Sequence, residues 1–269
     1  MKYDFDALLS RVEKPARYTG SEMNAEVKPL ASVEISFAFC FPDTYEVAMS
    51  HLGMKILYGI LNELPYAVCE RVCMPWVDML CELRKSNIPL CSLESHTPLC
   101  KFDIVGFTLQ YEMSYTNILE MLHLGGVPVK ADERGEDDPI VVAGGPCAFN
   151  PEPLCMFIDA FMIGDGEDVI IQLTDVINDC RKNHVPRKEC LRRLAGLRGV
   201  YVPSLYHDEY NEDGTLKSLE PIDGCAPKSV LKCIVTDFEN AYASTHPPVP
   251  YLQVVFDRIM LEIMRGCTR

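Results

Sequence analysis

Short, wholly apolar runs alternate along this chain with longer amphipathic stretches, a rhythm that predicts strands and helices in turn. Residues 33–41 (VEISFAFCF) are a β-branched and aromatic run closed by Pro42 and Asp43, as suits a strand buried on both faces. Over 45–64, Val47, Leu52, Ile56, Leu57, Ile60, Leu61 and Leu64 fall largely at helical spacing, and Pro65 ends the stretch. A strand-to-helix turn is therefore expected at Pro42, Asp43 and Thr44. The unit repeats. A strand over 67–72 precedes a helix over 75–86, IPLCS (88–92) reads as a short strand, and a strand over 102–109 leads to a helix over 114–124. PIVVAGG (139–145) is a further strand, and DAFMIGDGE (159–167) runs into a helix over 168–181.

Strands alternating with helices of this length predict parallel βαβ units with right-handed crossovers, hence a doubly wound, mainly parallel α/β sheet of the Rossmann or flavodoxin kind. Ligands of such sheets settle beyond the carboxyl ends of the strands, which directs attention to the turns at 42–44, 109–112, 144–147 and 164–167. Past Gly199 the rhythm changes. Residues 201–222 read as two alternating strands about an Asn-Glu-Asp-Gly turn, a hairpin signal, and STHPPVPY marks a stiff, extended connector. The expected organisation is an extension over 1–30 with a short helix at 5–12, an α/β domain over 31–198, a hairpin and proline-rich connector over 199–250, and the start of a new apolar strand within 251–269.

The 269 residues suffice for one full domain and a smaller piece, and 48% hydrophobic with 24% charged residues is ordinary globular composition. A net charge of −14 gives no support for a groove that tracks phosphates, so nucleic acid is not indicated as a partner. The opening MKYDFDALLSRVEK has no apolar leader core, and no apolar run approaches the ~20 residues of a membrane span. Thirteen cysteines are scattered, many within apolar stretches, as are Cys40 and Cys233; they read as free thiols of a reducing compartment. The expectation is a cytosolic protein with no membrane partner.

The sharpest chemical signal is LEIMRGCTR (261–269). It resembles the first barrel strand and cluster-loop entry of radical S-adenosylmethionine enzymes, whose loop carries three cysteines spaced C-x3-C-x2-C. Only the first, Cys267, is present. The resemblance implies a 4Fe-4S cluster held by three thiolates, with one iron left open for the amino and carboxylate groups of S-adenosylmethionine. It also implies that the chain is the amino-terminal portion of such an enzyme, cut within the motif and inactive alone. PIVVAGGPCAFNPEPL followed by DAFMIGDGE resembles the cobalamin-binding region of these enzymes, and RYTGSEMN, PDTYEVAMSHLG and RGCTR in this order resemble one uncharacterised branch closely.

The residues that this resemblance assigns to cofactor binding are Pro42, Asp43, Thr44, Gly144, Gly145, Pro146, Gly164, Asp165, Gly166 and Glu167, with Cys267 as the metal ligand; no residue is assigned to catalysis. Glycines at strand ends let a backbone approach a ligand or take positive φ, and acids suit the start of the following helix; tight turns with helix-capping acids are the alternative. Histidine-ligated cobalamin proteins carry D-x-H-x-x-G, whereas His51 stands eight residues after Asp43, within the predicted helix. It is expected on a helix face, and any cobalamin would bind without a protein imidazole. Cys69 and Cys73 match half of the cluster motif, but position 76 is Trp, so they read as structural; His246 reads as a linker residue, and Asp159 as a family position or a strand-edge acid.

The expected partners are the carboxy-terminal radical domain of the same protein and an unidentified substrate. A non-catalytic α/β module that binds a small ligand or partner is the alternative. A response-regulator-like domain ranks last, since Asp43 is the one obvious acid at the first strand end.

Overall fold

A computed structural model describes residues 5–222 and 224–266. Among them, six strands form one sheet in the order β2-β1-β3-β4-β5-β6: β1 (Ile35–Phe41), β2 (Ala67–Cys73), β3 (Ile104–Thr108), β4 (Ile140–Gly144), β5 (Ala160–Met162) and β6 (Val200–Tyr201). β1 to β5 are parallel, and β6 closes the edge antiparallel to β5. The chain winds outward both ways from β1, so the switch point lies between β1 and β3. This is the doubly wound, flavodoxin-like sheet expected.

Side-chain alternation along β1 builds both layers. Ile35, Phe37, Phe39 and Phe41 pack with α3 (Leu52–Glu63), α6 (Glu167–Lys182) and α7 (Arg187–Ala195). Ala38 and Cys40 turn to the other core, with α1 (Phe5–Leu9), α4 (Val77–Ser86) and α5 (Tyr115–Leu124). The separate hairpin of β7 (Tyr206–Tyr210) and β8 (Leu216–Pro221) turns at 211–215, with Gly214 at φ +81°.

Four expectations are corrected. The helix expected over 45–64 is two, α2 (Tyr45–Ala48) and α3, because Ser50 donates to the Glu46 carbonyl at 2.7 Å and His51 leaves helical backbone (φ −94°, ψ 115°) to cap α3. IPLCS forms no strand: Cys91 makes an isolated bridge to Pro98, while Leu93 N–H donates to the Arg71 carbonyl at 2.8 Å and the Glu94 carboxylate accepts from Arg71 N–H at 2.7 Å. The loop thereby covers the free edge of β2, which would otherwise offer unpaired backbone groups. Helix α7 was not expected, since RKECLRRLA is dominated by charge, yet Cys190, Leu191 and Leu194 bury a stripe along it. Residues 257–266 run irregularly and form no strand, there being no neighbour for them to pair with among the described residues.

Within this edge lies a buried charged triad. Arg71, in the middle of β2, meets Glu22 at 2.7 Å and Glu94 at 2.6 Å, each side chain no more than 1% exposed. Glu22 also accepts the Tyr45 hydroxyl at 2.8 Å, so the polar RYTGSEMN stretch is fastened to the sheet by its carboxylate.

Candidate functional site

The carboxyl ends of β3, β4 and β5 and the start of α3 enclose an open cleft of about 730 Å³. Gly145 and Pro146 form one side, Gly164, Asp165, Gly166 and Glu167 the floor, and Met264 to Gly266 the far wall. Beneath it a narrower apolar slot of about 160 Å³ runs between sheet and α3, past Phe37, Phe107, Gly144, Met162 and Ile170. The expected glycine turns thus converge on one place. Pro42, Asp43 and Thr44 line neither space: Asp43 accepts from Thr44 N–H at 2.7 Å and from the Tyr111 hydroxyl at 3.0 Å, and the Pro42 carbonyl accepts from Asn117 at 2.9 Å. That turn is closed by the protein's own groups.

The glycines serve close backbone contacts of this chain. Gly145 has φ +110°, and a Cβ there would stand 2.9 Å from the Leu109 carbonyl. Gly164 has φ +101°, and a Cβ would meet the Cys233 carbonyl at 2.2 Å, because the connector crosses the end of β5 at this point. Cys233 N–H donates to the Ile163 carbonyl at 2.9 Å, Asp165 N–H to the Cys233 carbonyl at 3.0 Å, and Val235 N–H to the Asp165 carboxylate at 2.7 Å. Gly144 is different. Its backbone is outside the left-handed region and the nearest atom to a Cβ would be the Met162 methyl at 3.4 Å, so it leaves room in the slot.

His51, expected on a helix face, stands at the cleft. Its Nδ1 accepts from Met54 N–H at 3.1 Å, so a neutral ring carries its proton on Nε2. Burial lowers the ring's pKa below its usual value, and a hydrogen bond with Gln110 offsets part of that shift. Gln110 in turn donates to the Thr108 hydroxyl. Gln110 belongs to a turn that topology flags; His51 could be found only by seeing that Ser50 and Gly53 flank a helix start. Lys232 and Cys233, also in the lining, come from the connector, which no periodic pattern marks, and Arg265 from the segment expected as a strand. Burial raises the Cys233 thiol above its usual pKa, and its Sγ donates to the Arg198 carbonyl at 3.1 Å.

Asp159 is not at the cleft. It precedes β5, at the opposite end of the sheet, where its carboxylate accepts from Arg134 at 2.9 Å, Arg187 at 2.7 Å and Val141 N–H at 2.7 Å. Cys69 and Cys73 are buried within β2, as expected of structural thiols. Cys267 lies outside the described residues. Among those described, no group of three or more His, Cys, Asp or Glu could hold a metal ion, and no helix is long and apolar enough to cross a membrane.

A strand-end cleft on a flavodoxin-like sheet, floored by glycine and rimmed by the exposed apolar side chains of Phe149 and Met264, is the candidate ligand site of this α/β domain. Residues 53–203, more than half of the chain, match the family described as radical SAM proteins, N-terminal, and the chain belongs to that family. It is 32% identical over 235 residues to an uncharacterized protein of Methanocaldococcus jannaschii, an alignment covering 86% of this chain and 39% of that protein. The chain therefore spans about two fifths of that relative's length. Among solved structures it is similar to the cobalamin-dependent S-adenosylmethionine radical enzyme OxsB with aqua-cobalamin bound, at TM-score 0.42 and 14% identity, over 81% of this chain and 24% of that one.

Proposed function

We propose that this chain is the amino-terminal part of a cytosolic radical S-adenosylmethionine iron–sulfur enzyme, and that its strand-end cleft holds a corrinoid over the active site. Membership of the radical SAM N-terminal family carries this reading. The substrate is open, and the partner of this domain is the radical domain of the same protein.

The cleft suits a corrinoid in shape and lining. The open cleft gives a broad ring face room above the strand ends, and the slot below, into which Gly144 opens, is apolar and narrow, as a flat heteroaromatic appendage requires. Gly144, Gly145, Gly164 and Gly166 would lie against such a ligand, while Pro42, Asp43 and Thr44 would hold the neighbouring turn. Nδ1 of His51 is engaged by Met54 N–H, and the chain lacks the D-x-H-x-x-G pattern, so the proposed corrinoid binds without a protein imidazole. When bound, a corrinoid supplies a cobalt centre for methyl or electron transfer. The chain's own contribution is to shape the pocket and exclude water from its apolar depth.

Cys267 would supply one of the three cluster thiolates, with two more from residues beyond 269. In the intact protein, purified and reconstituted without oxygen, about four iron atoms per chain are expected, together with reductive cleavage of S-adenosylmethionine. Cys267→Ala abolishes both. Absence of iron after reconstitution would refute the enzyme reading and leave a ligand-binding or partner-binding module.

A further inference from the structure

The segment leading to Cys267 carries apolar side chains with little to cover them: Ile259, Leu261 and Ile263 are more than four-fifths exposed. Its neighbour Arg265 behaves otherwise. Its side chain is 22% exposed, and its guanidinium makes ion pairs with Glu167, with Glu262 at 2.7 Å and with Asp165 at 3.8 Å, while lying 5.4 Å from the centre of the Phe238 ring. Among the described residues, the hydrogen bonds and ion pairs that join 257–266 to the rest of the chain are those of Arg265.

Both acids that receive it are placed by the fold before it arrives. Glu167 opens α6, where a carboxylate is favoured by the helix dipole, and Asp165 is fixed from the connector side by Val235 N–H at 2.7 Å. A guanidinium addresses two carboxylates at once through a rigid planar fork, whereas an ammonium is a compact point charge without that fixed geometry. Gly266, at φ +97°, then turns the chain immediately before Cys267. Arg265, Met264 and Gly266 are also the far wall of the cleft, so whatever holds Arg265 closes that wall.

We infer that Arg265 is a positioning residue, latching the Cys267-bearing segment onto the Asp165–Glu167 turn and thereby fixing the cluster-loop entry against the cleft. The functional consequence rests on the reading of the intact protein as a radical enzyme; the latch itself does not. Its purpose is geometric: a ligand over the strand ends and a cluster beginning two residues past Arg265 share one acidic turn as their common reference point.

The test uses the 269-residue chain without iron, S-adenosylmethionine or corrinoid, so its failure is distinct from failure of the enzyme reading. Amide order parameters from nitrogen-15 relaxation report the local mobility of Met264 and Gly266. In the wild type they should exceed about 0.7, and in Arg265→Gln or Glu167→Gln fall below about 0.6. Arg265→Lys should recover part of the loss, and the double Gln variant should lose no more than Arg265→Gln alone. Order parameters of β1 and β4 should stay unchanged throughout, separating a local latch from general loosening. Mobile residues in the wild type, or order that survives Arg265→Gln, would overturn the inference, as would additive losses in the double variant.

Discussion

Replacing Gly164 with alanine tests why the connector crosses the end of β5. The backbone there has φ +101°, a region where a residue bearing a Cβ costs about 1–3 kcal/mol. The added carbon would stand 2.2 Å from the Cys233 carbonyl oxygen and 2.7 Å from its nitrogen, both backbone atoms that cannot rotate away. Relief requires the connector to withdraw, breaking the Cys233-to-Ile163 hydrogen bond of 2.9 Å and the Asp165-to-Cys233 bond of 3.0 Å. At about 1 kcal/mol each, with the strain, the total is about 3–5 kcal/mol. Detachment of the connector caps the loss, because the chain can shed the clash by giving up only that docking. Urea unfolding measures the global cost, and amide hydrogen exchange at Cys233 and Asp165 reports the crossing. Destabilisation below about 1 kcal/mol with both amides still protected would refute the reasoning. Gly144→Ala is the control: with ordinary backbone and Met162 at 3.4 Å, it should cost under about 1 kcal/mol.

Arg71→Ala strands the buried carboxylates of Glu22 and Glu94 and should cost about 3–5 kcal/mol in urea unfolding, a loss below about 1 kcal/mol contradicting the triad's role. Asp159→Ala similarly strands Arg134 and Arg187, with a cost of about 3–5 kcal/mol, yet should leave ligand affinity at the distant cleft unchanged per folded molecule. His51 has its pKa lowered in the fold, so the cap that its neutral Nδ1 provides is fully present above the unfolded value near 6.5 and lost as pH falls toward the lower folded value. Stability should therefore drop on acidification below neutrality, and His51→Asn, which keeps a cap acceptor, should flatten that slope; an unaltered slope in the variant would contradict it.

The sheet was legible because β1, β3 and β4 are short, predominantly apolar runs, with Ser36 and Thr108 as the polar exceptions, a pattern that survives without tertiary information. The convergence of the glycine turns at 144–145 and 164–166 was legible because parallel topology brings strand ends together whatever their sequence. What escaped depended on contacts from afar. The break at His51 hides in a continuous apolar stripe, since Ala48, Leu52, Ile56 and Ile60 stand four residues apart across it. Helix α7 hides because its apolar stripe is narrow among five charged neighbours, and IPLCS looks like a strand because edge-covering loops bury apolar residues as strands do. The Gly164 crossing needed Cys233, 69 positions away in a segment of no regular pattern, and the Arg265 latch needed an acidic turn nearly a hundred residues earlier.

The cleft as a corrinoid site is tested most directly by titrating the 269-residue chain with hydroxocobalamin and following the visible spectrum together with retention of colour through gel filtration. The account predicts one corrinoid per chain, weakened at least tenfold by Gly144→Val, which fills the slot, and unaffected by His51→Asn. No retained corrinoid, or binding indifferent to Gly144→Val, would contradict it.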